Sequence, residues 1–129
     1  MKKIVIVGYG SIGKRHFKIL KKIFPISKIK FFRHKKTLKI PKGSDGNLFN
    51  FNEILKFKPQ LGVIANPASK HLIFANFFTK NKINFFVEKP LSHNSKGIDA
   101  LVRNIIKYKV HTFLGYNMRF IPALIYLKK

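Results

Sequence analysis

The feature that most constrains this fold is a glycine-rich turn close to the amino terminus. Residues 4–7, Ile-Val-Ile-Val, form a β-branched run long enough for a buried strand. The next six residues, Gly8-Tyr9-Gly10-Ser11-Ile12-Gly13, have the spacing G-x-G-x-x-G. Between a strand and a helix, such glycines allow a tight turn, close approach of the backbone to a pyrophosphate, and close packing of helix on strand. The stretch therefore predicts a dinucleotide site, provided that a helix follows.

The segment after the turn has the pattern of an amphipathic helix that ends at Pro25. Apolar residues recur at helical spacing on one side, and lysines occupy the other side. The free N–H groups at the start of such a helix point toward bound phosphates, which supports the dinucleotide interpretation. The predicted apolar stripe comprises Gly13, Phe17, Leu20 and Phe24, and we expect it to be widened by Ile12, Ile19 and Ile23.

The same stretch also nearly matches a mononucleotide-binding P-loop, because Gly13 is followed by Lys14. A P-loop requires Ser or Thr at the next position to place a hydroxyl on Mg²⁺. That position is Arg15, which is a donor only and does not bind a cation. The chain has only four acidic residues, and Glu88 is the one that follows an apolar strand. We therefore reject the P-loop interpretation.

Predicted strands and helices alternate along the rest of the chain. Further strands are expected at 28–33, 48–49, 61–65, 84–87 and 110–116, and helices are expected between most of them, the last at 95–108. This alternation predicts a parallel sheet covered by helices on both faces, with right-handed crossovers. We predict an α/β fold, a doubly wound parallel sheet of the Rossmann type, with its ligand at the carboxyl ends of the strands.

The composition excludes several classes of site. Without cysteine, the chain has no disulfide, thiol nucleophile or thiolate metal site, which suits a cytoplasmic protein. Its histidines and acidic residues show no metal-ligand spacing. No run approaches the ~18 apolar residues of a membrane span. We therefore expect a cytoplasmic protein with no metal and no membrane partner.

The net charge of +23 raises the alternative of a nucleic-acid-binding protein. The basic residues are 23 Lys and 4 Arg, whereas contacts to bases and phosphates favour Arg. They are spread along the whole chain, and the abundant Lys, Ile, Phe and Asn all have A/T-rich codons, so a low-GC genome is a sufficient cause. We expect nonspecific attraction of polyanions at low salt and no specific nucleic-acid partner.

Four motifs in order resemble one family of oxidoreductases: GYGSIGKRH at 8–16, NPASKH at 66–71, FVEKPLS at 86–92 and GYNMRFIP at 115–122. They are similar to the nucleotide-binding domain of the glucose–fructose oxidoreductase / inositol dehydrogenase (Gfo/Idh/MocA) family. The resemblance implies an enzyme that uses NAD or NADP to oxidise or reduce a carbon of a sugar or polyol. It also implies a nucleotide-binding domain at 1–122, with 123–129 beginning the connection to a second domain.

The resemblance assigns roles to residues of these motifs. Gly8, Gly10 and Gly13 resemble the pyrophosphate turn, and Ser11 and Ile12 the start of its helix. Lys89 resembles the catalytic lysine that contacts the substrate and the nicotinamide edge, and Glu88 its partner in the motif. The remaining assignments are to the loop beside the nicotinamide ribose, Asn66, Pro67 and His71, and to the strand end that leads into the second domain, Asn117 and Arg119.

The residues after the second predicted strand favour NADP over NAD. In NAD-binding proteins an acidic residue about 20 positions beyond the glycines binds the ribose 2′-hydroxyl. That position is Arg33, followed by His34, Lys35 and Lys36, and a cation there suits a 2′-phosphate. We therefore expect Arg33 to contribute to cofactor binding.

The chain ends soon after the strand that would lead into the second domain. We therefore expect that the second domain is absent and that these residues alone turn over no substrate. A truncated gene, a split protein whose second domain is a separate chain, a homo-oligomer, and a free-standing dinucleotide-binding module without catalysis all stay open.

Overall fold

The computed structural model describes residues 1–127, which form one sheet with helices between its strands. The strands are β1 (Lys3–Val7), β2 (Lys28–Phe32), β3 (Asn47–Leu48), β4 (Leu61–Ile64), β5 (Asn84–Val87) and β6 (Thr112–Leu114). The helices are α1 (Ser11–Ile23), α2 (Phe51–Phe57), α3 (His71–Lys80), α4 (Ile98–Tyr108) and α5 (Pro122–Leu127), with 3₁₀ turns at Ala68–Lys70 and Asn117–Phe120.

The strands lie in the order β3-β2-β1-β4-β5-β6, and every neighbouring pair is parallel. The strand order changes direction between β1 and β4, and in such sheets ligands bind in the crevice at the carboxyl ends of the strands at this point. The predicted α/β fold, a doubly wound parallel sheet, is confirmed.

The central strand β1 supplies both hydrophobic cores. Its residues Ile4 to Val7 are at most 1% exposed, as expected for a strand with parallel partners on both sides. Val5 and Val7 point to the core beneath α2, α3 and α4. Ile4 and Ile6 point to the opposite core, beneath α1. Because β1 is anchored on both faces, the glycine turn that follows it has a fixed starting point.

Helix α1 buries a narrower stripe than the sequence predicts. Gly13 and Leu20 are buried, whereas Ile12, Ile19 and Ile23 are 42%, 44% and 59% exposed, so the predicted widening of the stripe is wrong. The reason is that α1 packs on β1 and β4 and leaves the adjacent face of β5 and β6 open. One flank of α1 therefore borders a groove rather than a packed layer.

Three turns that lead into strands carry a lysine in the left-handed backbone region. Lys58, Lys82 and Lys109 have φ values of 53°, 54° and 55°. They follow α2, α3 and α4, and precede β4, β5 and β6. Glycine is the usual residue at such a helix end because it has no Cβ to clash in this conformation.

The predicted division at residue 122 coincides with the start of α5, whose large apolar side chains are exposed. Lys128 and Lys129, the end of the predicted 123–129 connection, lie outside the described residues, and the domain boundary stays a prediction. None of the helices within 1–127 is both long and apolar enough to cross a bilayer.

Candidate cofactor and substrate site

The glycine turn borders a cleft of about 540 Å³ at the carboxyl ends of β1, β2 and β4. Three loops meet there because parallel strands present their carboxyl ends at one edge of the sheet. Seven of the residues that the sequence predicts to bind cofactor line this cleft: Gly8, Gly10, Ser11, Ile12, Arg33, Asn66 and Pro67.

The three glycines of the turn have different structural requirements. Gly8 has φ +102°, and a Cβ there would lie 2.9 Å from the carbonyl oxygen of Ala65. A Cβ on Gly13 would overlap the carbonyl oxygen of Gly8. A Cβ on Gly10 would meet no atom within 4 Å, and Gly10 has an ordinary φ of −75°. The packing of this chain therefore requires Gly8 and Gly13, whereas Gly10 leaves open a cradle that a side chain would fill.

Helix α1 begins directly at this cradle, with Gly10 as its N-cap. The first helical hydrogen bond runs from the N–H of Lys14 to the carbonyl of Gly10, so the N–H groups of the preceding residues have no helical acceptor. No side chain caps this end, and its first turn holds no acidic residue. Exposed N–H groups and the positive end of the helix dipole suit the pyrophosphate of a dinucleotide.

The end of the cleft beside β2 is cationic. Arg33, His34 and Lys35 line it, and none of the described residues that line the cleft is acidic. The guanidinium carbon of Arg33 lies 4.8 Å from the ring centroid of Tyr9, and its Nη1 lies 3.4 Å from the carbonyl oxygen of Lys39. The position that would carry an acid for a ribose 2′-hydroxyl therefore carries positive charge.

Asn66 offers a hydrogen-bond acceptor at the opposite wall. Asn66 lines the cleft, and its side-chain Oδ1 is buried without a hydrogen-bond partner among the described residues. Buried acceptors are normally paired, so a donor such as a ribose hydroxyl fits this position. The residues of the cleft thus fit a dinucleotide at the pyrophosphate turn and at a ribose.

A second groove, of about 480 Å³, adjoins the cleft between α1 and the exposed face of β5 and β6. Ile12 lines both spaces, so they adjoin each other at the start of α1. The predicted residues Glu88, Lys89 and Asn117 line this groove. Lys89 is exposed, and no carboxylate within residues 1–127 lies within 4.0 Å of its ammonium. The structure therefore brings the predicted catalytic lysine beside the predicted cofactor cleft.

Glu88 is paired with a histidine that the sequence did not single out. The Nε2 of His16 donates to Oε1 of Glu88 at 2.6 Å, and the His16 ring packs edge-on against Phe86 at 5.1 Å between centroids. The pair joins α1 to the end of β5, and it commits the Glu88 carboxylate to His16 rather than to Lys89. His16 lies within the motif GYGSIGKRH, but no periodicity connects it with a residue so distant in sequence.

His71, predicted beside the nicotinamide ribose, lies behind the cleft wall. It is 1% exposed and lines neither the cleft nor the groove. Its Nε2 lies 2.7 Å from the carbonyl oxygen of Asn66, and its Nδ1 lies 2.8 Å from that of Pro90. The ring therefore joins the Asn66 loop to the Lys89–Pro90 loop, and direct contact with a cofactor does not follow from this placement.

Within residues 1–127, no three His, Asp or Glu side chains lie close enough together to hold a metal ion. That this protein uses no metal stays a prediction.

Comparison with known families identifies the domain. A family model described as "Oxidoreductase family, NAD-binding Rossmann fold" (GFO_IDH_MocA) matches residues 2–116. The chain belongs to the Gfo/Idh/MocA family. The match covers the glycine turn, the Asn66 loop and the Glu88-Lys89-Pro90 segment, so the resemblance carried by these motifs is confirmed. A search of curated proteins gives no match.

Solved structures show the same fold as this Gfo/Idh/MocA domain. Scyllo-inositol dehydrogenase from Lactobacillus casei with bound NAD(H) and scyllo-inositol is 21% identical, with a TM-score of 0.81 over 99% of this chain and 40% of that one. The WlbA dehydrogenase from Chromobacterium violaceum in complex with NADH and UDP-GlcNAcA is 19% identical, with a TM-score of 0.83 over 98% of this chain and 38% of that one. An NAD-binding oxidoreductase from Klebsiella pneumoniae is 16% identical, with a TM-score of 0.81 over 98% of this chain and 37% of that one.

This Gfo/Idh/MocA chain therefore spans only about 40% of the length of the solved structures that it matches. At these identities the likeness establishes the fold.

Proposed function

We propose that this chain is the nucleotide-binding part of an NAD(P)-dependent oxidoreductase that acts on a sugar or polyol-type substrate in the cytoplasm. The observation that carries the proposal is the open cradle at Gly10. A Cβ there would meet no atom of the chain within 4 Å, so packing within the chain does not require a glycine at this position. It lies at the start of α1, where exposed N–H groups favour a pyrophosphate.

Lys89 is the residue that we assign to the reacting end of the site. Nicotinamide cofactors supply hydride transfer, for which the substrate needs a group that polarises its oxygen or moves a proton at that oxygen. Lys89 lines the groove that adjoins the cleft at Ile12, and its ammonium has no carboxylate partner among the described residues. We therefore assign to Lys89 a hydrogen bond to the reacting oxygen. In reduction its ammonium would donate a proton to that oxygen, and in oxidation the neutral amine would accept the proton of the substrate hydroxyl.

The substrate class rests on the family and on two structural relatives. Those relatives are described with scyllo-inositol and with UDP-GlcNAcA, a polyol and a sugar nucleotide. A substrate of this kind carries hydroxyl groups, which suit the donors Lys89, Asn117 and Arg119 along the groove. The groove is open to solvent, so we expect a second domain, in this polypeptide or in a partner, to complete the site before turnover occurs.

We assign NADP as the preferred cofactor because Arg33 and Lys35 line the end of the cleft and none of the described residues there is acidic. A 2′-phosphate forms charge-assisted hydrogen bonds with a guanidinium, and NAD lacks that group. In Arg33→Ala the affinity for NADP falls about tenfold and the affinity for NAD stays within about twofold. Equal dissociation constants for NAD and NADP in the parent chain at physiological salt would contradict the preference.

The dinucleotide site is tested by filling the cradle without disturbing the fold. Gly10→Val places a side chain where the pyrophosphate would lie, and Gly10→Asn does so while supplying a favoured helix N-cap. We expect both variants to keep the Tm of the parent within a few degrees and to lose measurable NADP and NAD binding by isothermal titration calorimetry. A folded Gly10→Val that binds as well as the parent would place the cofactor elsewhere.

A non-catalytic dinucleotide-binding module is the alternative. It would bind dinucleotide through the same cleft, but Lys89 would have no role. Turnover that appears when a second domain is supplied, and that is lost in Lys89→Ala, separates the enzyme from the module.

A further inference from the structure

Tyr9, the residue between the first two glycines of the turn, has a ring that is fixed by the core. Its ring meets that of Phe31 edge to face, with 4.8 Å between centroids and 72° between planes. Phe31 is fully buried on β2, and Gly8 before Tyr9 holds its φ of +102° against Ala65. The side chain of Tyr9 is therefore held by a buried neighbour, and its backbone follows a glycine that packs against Ala65.

Two cations converge on this ring. The guanidinium carbon of Arg33 lies 4.8 Å from the Tyr9 centroid, and Nζ of Lys14 lies 4.7 Å from it. In the part of the chain that the structure describes, neither cation has a carboxylate within 4.0 Å. The guanidinium also contacts the carbonyl oxygen of Lys39 through Nη1 at 3.4 Å, which is long for a hydrogen bond. The aromatic ring is therefore the contact that best defines where the Arg33 charge lies.

The position of that charge matters because Arg33 lines the cleft and stands where the ribose 2′ group is recognised. A free arginine side chain loses rotamer freedom when it closes on a ligand, which weakens binding. A ring that already holds the guanidinium reduces this loss. The same ring also contacts the ammonium of Lys14, which adds a second positive charge near Arg33.

We propose that Tyr9 is a specificity-determining residue, whose ring holds Arg33 and Lys14 in position to select a cofactor with a 2′-phosphate. The proposal rests on the assignment of the cleft to NAD(P). It adds Tyr9 as a residue that affects the choice between NAD and NADP through the two cations that contact its ring. The ring itself, rather than the phenolic hydroxyl, is the group that acts, because both contacts are made to the ring.

The test measures the ratio of dissociation constants for NAD and NADP, by titration calorimetry on the full chain at about 150 mM salt. Tyr9→Phe keeps the ring and is expected to keep the ratio within about twofold. Tyr9→Leu removes the ring and is expected to weaken NADP binding about threefold to tenfold, with NAD binding within about twofold. Tyr9→Met is measured in parallel, so that the ring is still tested if the leucine variant does not fold.

The matched control is Tyr108→Leu, because Tyr108 also has a cation over its ring, Lys107 at 5.6 Å, but lies at the end of α4 and lines neither the cleft nor the groove. It controls for the effect of removing a ring that contacts a cation at a place remote from the cleft. The ratio in Tyr108→Leu is expected to equal that of the parent.

A double-mutant cycle separates this role from simple packing. In an Arg33→Ala, Lys14→Met background, Tyr9→Leu is expected to leave the NAD/NADP ratio unchanged, because the ring then has no cation to hold. Equal weakening of NAD and NADP binding in Tyr9→Leu and Tyr9→Met would overturn the proposal. It would indicate that the Tyr9 ring acts by packing or by stacking on the adenine. A parent that binds both cofactors equally would overturn it while leaving dinucleotide binding intact. A parent that binds neither would overturn the proposed function together with it.

Discussion

Removing the His71 ring tests whether it holds the two loops of the site together. The ring is 1% exposed and lies 2.7 Å and 2.8 Å from two backbone carbonyl oxygens. A neutral imidazole carries one N–H and satisfies one of these acceptors, whereas a protonated ring satisfies both. His71→Ala therefore leaves at least one of these part-buried carbonyls without its donor and opens a cavity of the size of the ring.

The expected loss follows from these two effects. An unpaired buried acceptor costs about 1–3 kcal/mol, and truncation of a buried ring costs about 3–5 kcal/mol when packing does not relax. With partial relaxation we expect a loss of about 3–5 kcal/mol in the free energy of unfolding. In a domain of this size each kcal/mol lowers the Tm by ~3–5 °C, so the Tm falls by about 10–20 °C.

Thermal unfolding followed by circular dichroism measures this loss, with His93→Ala as the control at an exposed histidine. His71→Gln, with one side-chain nitrogen, is expected to lie between His71→Ala and the parent. Hydrogen exchange in His71→Ala should rise at residues 66–70 and 88–92, because the ring joins these segments. A Tm within about 2 °C of the parent, with unchanged exchange in both segments, would refute the reasoning.

Three further outcomes are expected. Gly13→Ala should lose the cooperative melt that Gly10→Asn keeps, because its Cβ overlaps the Gly8 carbonyl oxygen; an equal Tm for both variants would contradict the packing argument. Asn50→Ala should cost about 1 kcal/mol in urea unfolding, because the Asn50 side chain accepts from the N–H of Glu53 at 2.9 Å, and the control Asn52→Ala on the same helix should cost less. The chain alone should show no steady-state turnover of sugars or polyols with NAD or NADP, and turnover that disappears in Lys89→Ala would show that one domain suffices.

The fold could be predicted because its signals are local. The β-branched run at 4–7, the glycine turn and Pro25 mark a strand, a turn and a helix end without reference to any distant residue. The predicted ends of the helices and strands were less accurate. The predicted helix at 95–108 begins at Ile98, because Gly97 has φ +85° and does not fit a right-handed helix.

Burial and long-range pairs could not be predicted in the same way. Val102 and Ile106 on α4 are 45% and 71% exposed, although their spacing relative to the buried Leu101 is that of an inward-facing stripe. Periodicity shows which residues share a face, but the neighbouring elements decide whether that face is covered. The His16–Glu88 pair and the placement of His71 behind the cleft depend on how loops from different strands meet, which one sequence does not encode in any local pattern.

The left-handed lysines in the turns after α2, α3 and α4 have a practical consequence for engineering this domain. Lys58, Lys82 and Lys109 precede the amino ends of β4, β5 and β6, whereas the cleft lies at the carboxyl ends. Replacing each by glycine relieves a backbone conformation that an L side chain disfavours, for a gain of up to about 1 kcal/mol, and lowers the net charge by one. Substitutions at the end of the sheet away from the cleft can thus raise the stability of the domain and offset destabilising changes made in the cleft.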